Sequence, residues 1–108
     1  MNELELYFHR NSRALYDLMK LYQKITDDYH KIRSAFEYRE TKFNFRDDFI
    51  GILGRMKSFL NGTNGQFIFV DAIGEYDSIQ KMYKELMKKV NEELEEATQT
   101  HSLENILH

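Results

Sequence analysis

Residues 4–36 read LELYFHRNSRALYDLMKLYQKITDDYHKIRSAF, and the spacing of the apolar residues in this stretch decides the fold. Leu4, Phe8, Asn11, Leu15, Leu18, Tyr22, Ile25, Tyr29, Ile32 and Phe36 follow one another at alternating intervals of three and four residues, and nine of the ten are apolar or aromatic. Such spacing places all ten on one face of a helix, and no Gly or Pro interrupts the run. A single helix over about 4–40 is predicted, roughly 55 Å long at 1.5 Å per residue. Tyr7, Ala14, Leu21 and Ala35 widen the stripe on one side beyond a two-position seam, which favours a bundle helix with two neighbours over an isolated two-stranded coiled coil.

Working outward from this helix, Phe45, Phe49, Ile52, Met56 and Phe59, flanked by Leu53 and Leu60, predict a second helix over about 45–61. Gly51 and Gly54 fall inside it, each costing about 1 kcal/mol relative to Ala. Two readings of them stay open: a smooth strip where another backbone comes close, or plain tolerance. The run 61–65, Asn-Gly-Thr-Asn-Gly, breaks the chain, because Gly and Asn reach the left-handed conformations that end helices. The segment 66–71 is an ambiguous apolar connector, with four contiguous apolar residues and no helical period. Asp77, three residues before Gln80, gives a capping-box-like start to a third helix through Ile79, Met82, Tyr83, Leu86, Val90, Leu94 and Ala97, over about 75–98. Lys81, Glu85, Lys88, Lys89, Glu92 and Glu93 lie four apart in opposite-charge pairs on its outer face. Residues 99–108 are expected to be short or frayed, with Ser102 as a cap for one or two turns.

The expected architecture is therefore all-α, a helical bundle built on one long N-terminal helix, forming a single domain over 1–108. Composition agrees. The chain of 108 residues has no Pro, a residue that long helices exclude and loop-rich folds use. It has no Cys, so disulfides, thiolate metal sites and a cysteine nucleophile are excluded. The first residues carry no basic-then-apolar leader pattern, and no apolar run approaches membrane-spanning length, so a cytoplasmic location without membrane association is expected. The net charge of −3 divides unevenly: residues 1–60 hold 11 Lys and Arg against 9 Asp and Glu, a net +2, while 61–108 hold 4 against 9, a net −5.

No constellation in the sequence assembles a reaction. Glu5 with His9, Asp27 with His30 and Glu104 with His108 are single pairs, short of the ligand set a metal needs, and no metal or cofactor is expected. There is no glycine-flanked Ser, and the 62–65 turn is followed by Gln66 and Phe67 in place of the Lys a phosphate loop requires. Asp47–Asp48 and Glu92–Glu93 are adjacent, which splits each pair around a helix. Tyr7, Tyr16, Tyr22, Tyr29 and Tyr38 interleave with Arg10, Arg13, Lys20, Lys24, Lys31, Arg33 and Arg39, a pattern that can bind single-stranded nucleic acid by stacking and charge. Tyr22 and Tyr29 lie in the apolar stripe, however, and Asp17, Asp27 and Asp28 dilute the positive charge, so a solvated face is the stronger reading.

The expected function is that of a non-enzymatic protein–protein interaction module, an adaptor or inhibitor presenting an apolar and aromatic helix face to a partner protein. The alternative is a nucleic-acid-associated protein using the first helix. A homo-oligomer, most simply a dimer, is also expected, because a short second helix covers only the half of the first around Tyr22 to Phe36. Leu4, Phe8, Asn11, Leu15 and Leu18 are then left as an interface, with Phe67 and Phe69 adding to it and Asn11 setting the register. The alternative to the dimer is a compact monomeric bundle in which the connector through Asp71 carries the third helix across to cap the other half. Length, acidity and helical-hairpin content resemble the small secreted helical proteins of the type VII secretion class. Phe49-Ile50-Gly51 is the nearest match to that class's Trp-x-Gly turn but falls inside a predicted helix, and its Tyr-x-x-x-Asp/Glu export motif is absent. Size and topology also resemble small four-helix immunity and phage-encoded host-modulating proteins.

Overall fold

The computed structural model describes residues 2–62 and 71–107, with side chains through residue 100. It contains three helices, α1 (Glu3–Tyr38), α2 (Arg46–Gly62) and α3 (Ala72–Leu107), and no strand among the described residues. The all-α bundle read from the sequence is the fold. Most of the 66–71 connector, with Phe67 and Phe69, lies outside the described residues.

Each helix end has a local cause. Asn2 caps α1, its Oδ1 accepting the Glu5 N–H at 2.8 Å, and Glu3 and Glu5 place negative charge where the helix dipole favours it. At the other end Glu40 adopts φ 53°, the left-handed conformation normally given to Gly. The Thr41 N–H then reaches back to the Phe36 carbonyl at 3.0 Å and the Glu40 N–H to that of Glu37 at 3.0 Å, closing a Schellman motif. Residues 41–45 form no regular element, and Phe43 and Phe45, two apart, both pack onto Phe36, with ring centroids at 5.6 and 6.1 Å.

The third helix departs from the sequence expectation at both ends. It begins at Ala72, not near 75, because Asp71 is the cap: its Oδ1 accepts the Gly74 N–H at 2.8 Å and its carbonyl the Glu75 N–H at 3.0 Å. A side chain on Gly74 would collide with that carboxylate. Asp77, proposed from sequence as the start, is inside the helix. At the far end no Gly or Pro follows Ala97, so the backbone stays helical through Leu107 and Ser102 is an interior residue, although the apolar repeat fades.

Helices α1 and α3 run parallel, with Asn11 beside Ala72 at one end and Arg39 beside Thr98 at the other. The intervening α2 runs against both, as Phe49 meets Tyr83 and Arg55 meets Glu75. Two helices of 36 residues, each about 54 Å long, make a molecule 68 Å in its longest dimension because they are staggered. The core is one continuous column. Leu18, Ile25 and Phe36 from α1, Phe49 and Met56 from α2, and Ile79 and Val90 from α3 are fully buried in it.

Gly51 and Gly54 of α2 serve no close approach. Both are exposed, and a Cβ built on either meets nothing within 4 Å. Gly51→Ala and Gly54→Ala are therefore each expected to stabilise the fold by about 0.5–1 kcal/mol, read as a higher midpoint in thermal unfolding. A loss of stability in either variant would show a backbone contact at that position.

Candidate protein interface

The stripe that builds the core continues past it. Below Asn11 no described helix stands beside α1, since α3 starts at Ala72: Leu4 is 62% exposed, Tyr7 40%, and Phe8 is half-buried with its ring tilted against that of Tyr7 at 5.9 Å. Leu6, on the opposite side of the same turns, is also exposed. The described part of the chain thus ends at this point in two turns of helix whose apolar side is uncovered.

Immediately above, a groove of about 400 Å³ runs between α1 and the first turns of α3. Ala14, Ile73 and Tyr76 form its apolar lining, and His9, Arg10, Arg13, Asp17 and Asp77 also border it. Arg13 pairs with Asp17 at 3.5 Å. A second groove of about 670 Å³ lies where Leu60 of α2 approaches Tyr16, Met19 and Tyr22 of α1. Tyr16 is half-exposed there, with the Lys20 ammonium 4.6 Å and the Arg13 guanidinium 5.9 Å from its ring centre.

The interface residues expected from sequence divide sharply. Leu4 is exposed and Phe8 half-buried, as an interface needs. Leu18 is fully buried, Leu15 is half-buried against the core, and Asn11 is 1% exposed, all within their own chain. The expectation that the third helix leaves this region short of cover is corrected for these three, because α3 is as long as α1 and begins beside Asn11. That side chain accepts the Ala72 N–H at 2.9 Å in a buried site, so it sets the register between two helices of one chain. Phe67 and Phe69 lie outside the described residues. Tyr7, noted in the sequence as widening the stripe, joins Leu4 at the uncovered end; its position relative to α3 depends on the stagger, which periodicity does not carry.

Away from this end, Tyr83 donates a hydrogen bond to Asp28, which also accepts from Lys24 Nζ at 2.8 Å, while the Lys24 ammonium sits 5.2 Å from the Tyr83 ring centre. Burial acts to raise the Asp28 pKa, but the hydrogen bonds from Lys24 and Tyr83 and the charges of Lys24 and Lys31 outweigh it and hold the carboxyl below its ordinary 3.8. Burial, and then Asp28, push the Tyr83 phenol up from 10.0. The linkage has opposite signs at the two ends of the pH scale. The contribution of Asp28 is complete above pH 3.8 and is lost as pH falls through its lowered folded value; that of Tyr83 is complete below pH 10.0 and is lost as pH rises beyond it. In urea titrations the stability difference between wild type and Asp28→Asn should be constant near neutrality and shrink in acid. A difference independent of pH would mean that the carboxylate is not the group held.

The candidate pairs Glu5 with His9 and Asp27 with His30 gather no further ligand among the described residues, and Glu104 with His108 lies outside the described side chains. Glu5, His9, Asp27 and His30 are exposed, and no three His, Asp or Glu side chains among the described residues could hold one ion. The lattice of Lys and Glu on α3 is solvated; the ion pairs that close among the described residues are Arg13–Asp17, Lys24–Asp28, Arg46–Asp47 and Arg55–Glu75. None of the described helices is long and apolar enough to cross a membrane. No known protein family, curated protein or solved structure matches this chain.

Proposed function

We propose that this chain is a protein-binding module, an adaptor or modulator of a partner protein, whose contact surface is the uncovered end of α1. The observation that carries the reading is the continuity of the apolar stripe beyond α3. A helix that needed no partner would turn polar where its described neighbour ends, and here the apolar pattern continues with Leu4 and Tyr7 exposed and Phe8 half-buried. We place this activity in the cytosol, which a chain without cysteine suits.

Leu4→Asp combined with Phe8→Asp tests it. The pair lies outside the buried column, so the melting temperature should stay within a few degrees of wild type, about 1 kcal/mol or less for partly exposed sites. Association, followed by cross-linking and by co-purification from the native host, should be lost. A variant that keeps every association of the wild type would end the proposal. The competing nucleic-acid reading rests on Tyr16, whose half-exposed ring lies near Arg13 and Lys20 and could stack a base. It requires retardation of single-stranded DNA or RNA at low ionic strength that weakens with salt and with Tyr16→Ala; absence of retardation removes it.

A further inference from the structure

Resting on that reading, the geometry points to a specific partner: we propose that the uncovered end of α1 docks against the same end of a second copy of this chain, antiparallel, about a two-fold axis that crosses the Leu4, Tyr7 and Phe8 face midway between the levels of Glu3 and Arg10. Glu3 and Arg10 are seven residues apart, so they occupy the same flank of the face formed by Leu4, Tyr7, Phe8 and Asn11, about 10 Å from each other along the helix. Both are exposed. Two helices related by a perpendicular two-fold bring like flanks together with their directions reversed, so Glu3 of each copy meets Arg10 of the other, and the pair is made twice. A parallel arrangement has no such match.

The same register accounts for the groove. Two overhanging turns bury too little surface for a stable contact, which needs on the order of 1,000 Å². With Glu3 opposite Arg10, the first turn of one copy reaches the start of the other copy's α3, where Ala14, Ile73 and Tyr76 offer an apolar lining beside Arg10 and Arg13. That apolar lining suits the apolar first turn, and the basic side chains on the same flank suit Glu3. Asp77 also borders the groove and opposes the acidic turn, so the balance rests on Arg10, with Arg13 already shared with Asp17. Asn11 is committed to its own chain and takes no part in this contact, which moves the centre of the dimer outward from the position its place in the seam had implied.

Light scattering coupled to gel filtration, across the micromolar to millimolar range, gives the decisive measurement on the full chain. The expected mass is twice the 13.0 kDa of one copy. Glu3→Arg alone and Arg10→Glu alone should each weaken the dimer about tenfold or more, because each sets two like-charge contacts in place of two attractive ones, and the combined Glu3→Arg, Arg10→Glu chain should recover to within about threefold of wild type. A circular-dichroism melt of each variant confirms the fold. A monomer mass at every concentration overturns the proposal, as does a dimer on which the charge exchange has no effect. If the chain is monomeric yet Leu4→Asp with Phe8→Asp abolishes binding to a different protein, self-docking fails while the module reading stands; if that variant changes no association at all, both fail.

Discussion

Phe49→Ala is expected to cost this protein about 3–5 kcal/mol, the range for removing a buried aromatic side chain and leaving its cavity. The residue is fully buried, and the rings of Tyr29, Phe43 and Tyr83 stand around it at 5.4, 6.2 and 6.3 Å. Those three come from α1, from the connector before α2 and from α3, so one side chain of α2 joins every other described part of the fold. Its neighbours are themselves locked: Phe43 against Phe36 and Phe45, and Tyr83 by its hydrogen bond to Asp28. They have little freedom to collapse into the space a methyl group would leave. For a domain whose total stability is about 5–15 kcal/mol, the loss would take a third or more. Urea unfolding should show a lower midpoint with an unchanged slope. A loss below about 1 kcal/mol would show that the aromatic cluster is loosely held and that the fold depends on the aliphatic column from Leu18 to Met56 instead.

The aromatic cluster also marks where sequence reading stopped. The long helix was legible because its burial is periodic: Leu18, Ile25 and Phe36 fall in the predicted stripe and are fully buried. Phe43 was not, since a two-residue alternation in a short connector gives no period to count. The start of α3 was misplaced because Asp77 with Gln80 looks more like a cap than Asp71 with Gly74, although Asp71 holds the helix. The candidate surface is legible only in part, for a deeper reason. Leu4, Asn11 and Leu18 are equivalent positions, seven residues apart, and nothing local distinguishes them. What separates an exposed Leu4 from a buried Leu18 is how far α3 extends along α1. At the level where α3 begins, the two helices are joined by a hydrogen bond between residues 61 apart in the chain, which no local pattern reveals.

Asn11→Leu tests that contact, and it should destabilise the protein even though it completes the apolar stripe. Were Asn11 simply a polar interruption of the seam, leucine would add apolar burial and raise stability. In the fold, however, its Oδ1 takes the N–H of Ala72, the first residue of α3, in a site closed to water. Helix N-termini leave four such donors without partners, and here Asn11 and Asp71 satisfy those of Ala72 and Gly74. Leucine would strand a buried donor, at about 1–3 kcal/mol, and its branched end would press on an Ala72 that is itself fully buried. Amide exchange at Ala72 to Glu75 should accelerate in this variant while the middle of α3 around Val90 keeps its protection, because the damage is to the first turn. Alanine at the same position should give a similar loss with less crowding. A leucine variant as stable as wild type would mean that the stagger of α1 and α3 is set elsewhere, and the uncovered end of α1 would then owe its exposure to something other than this hydrogen bond.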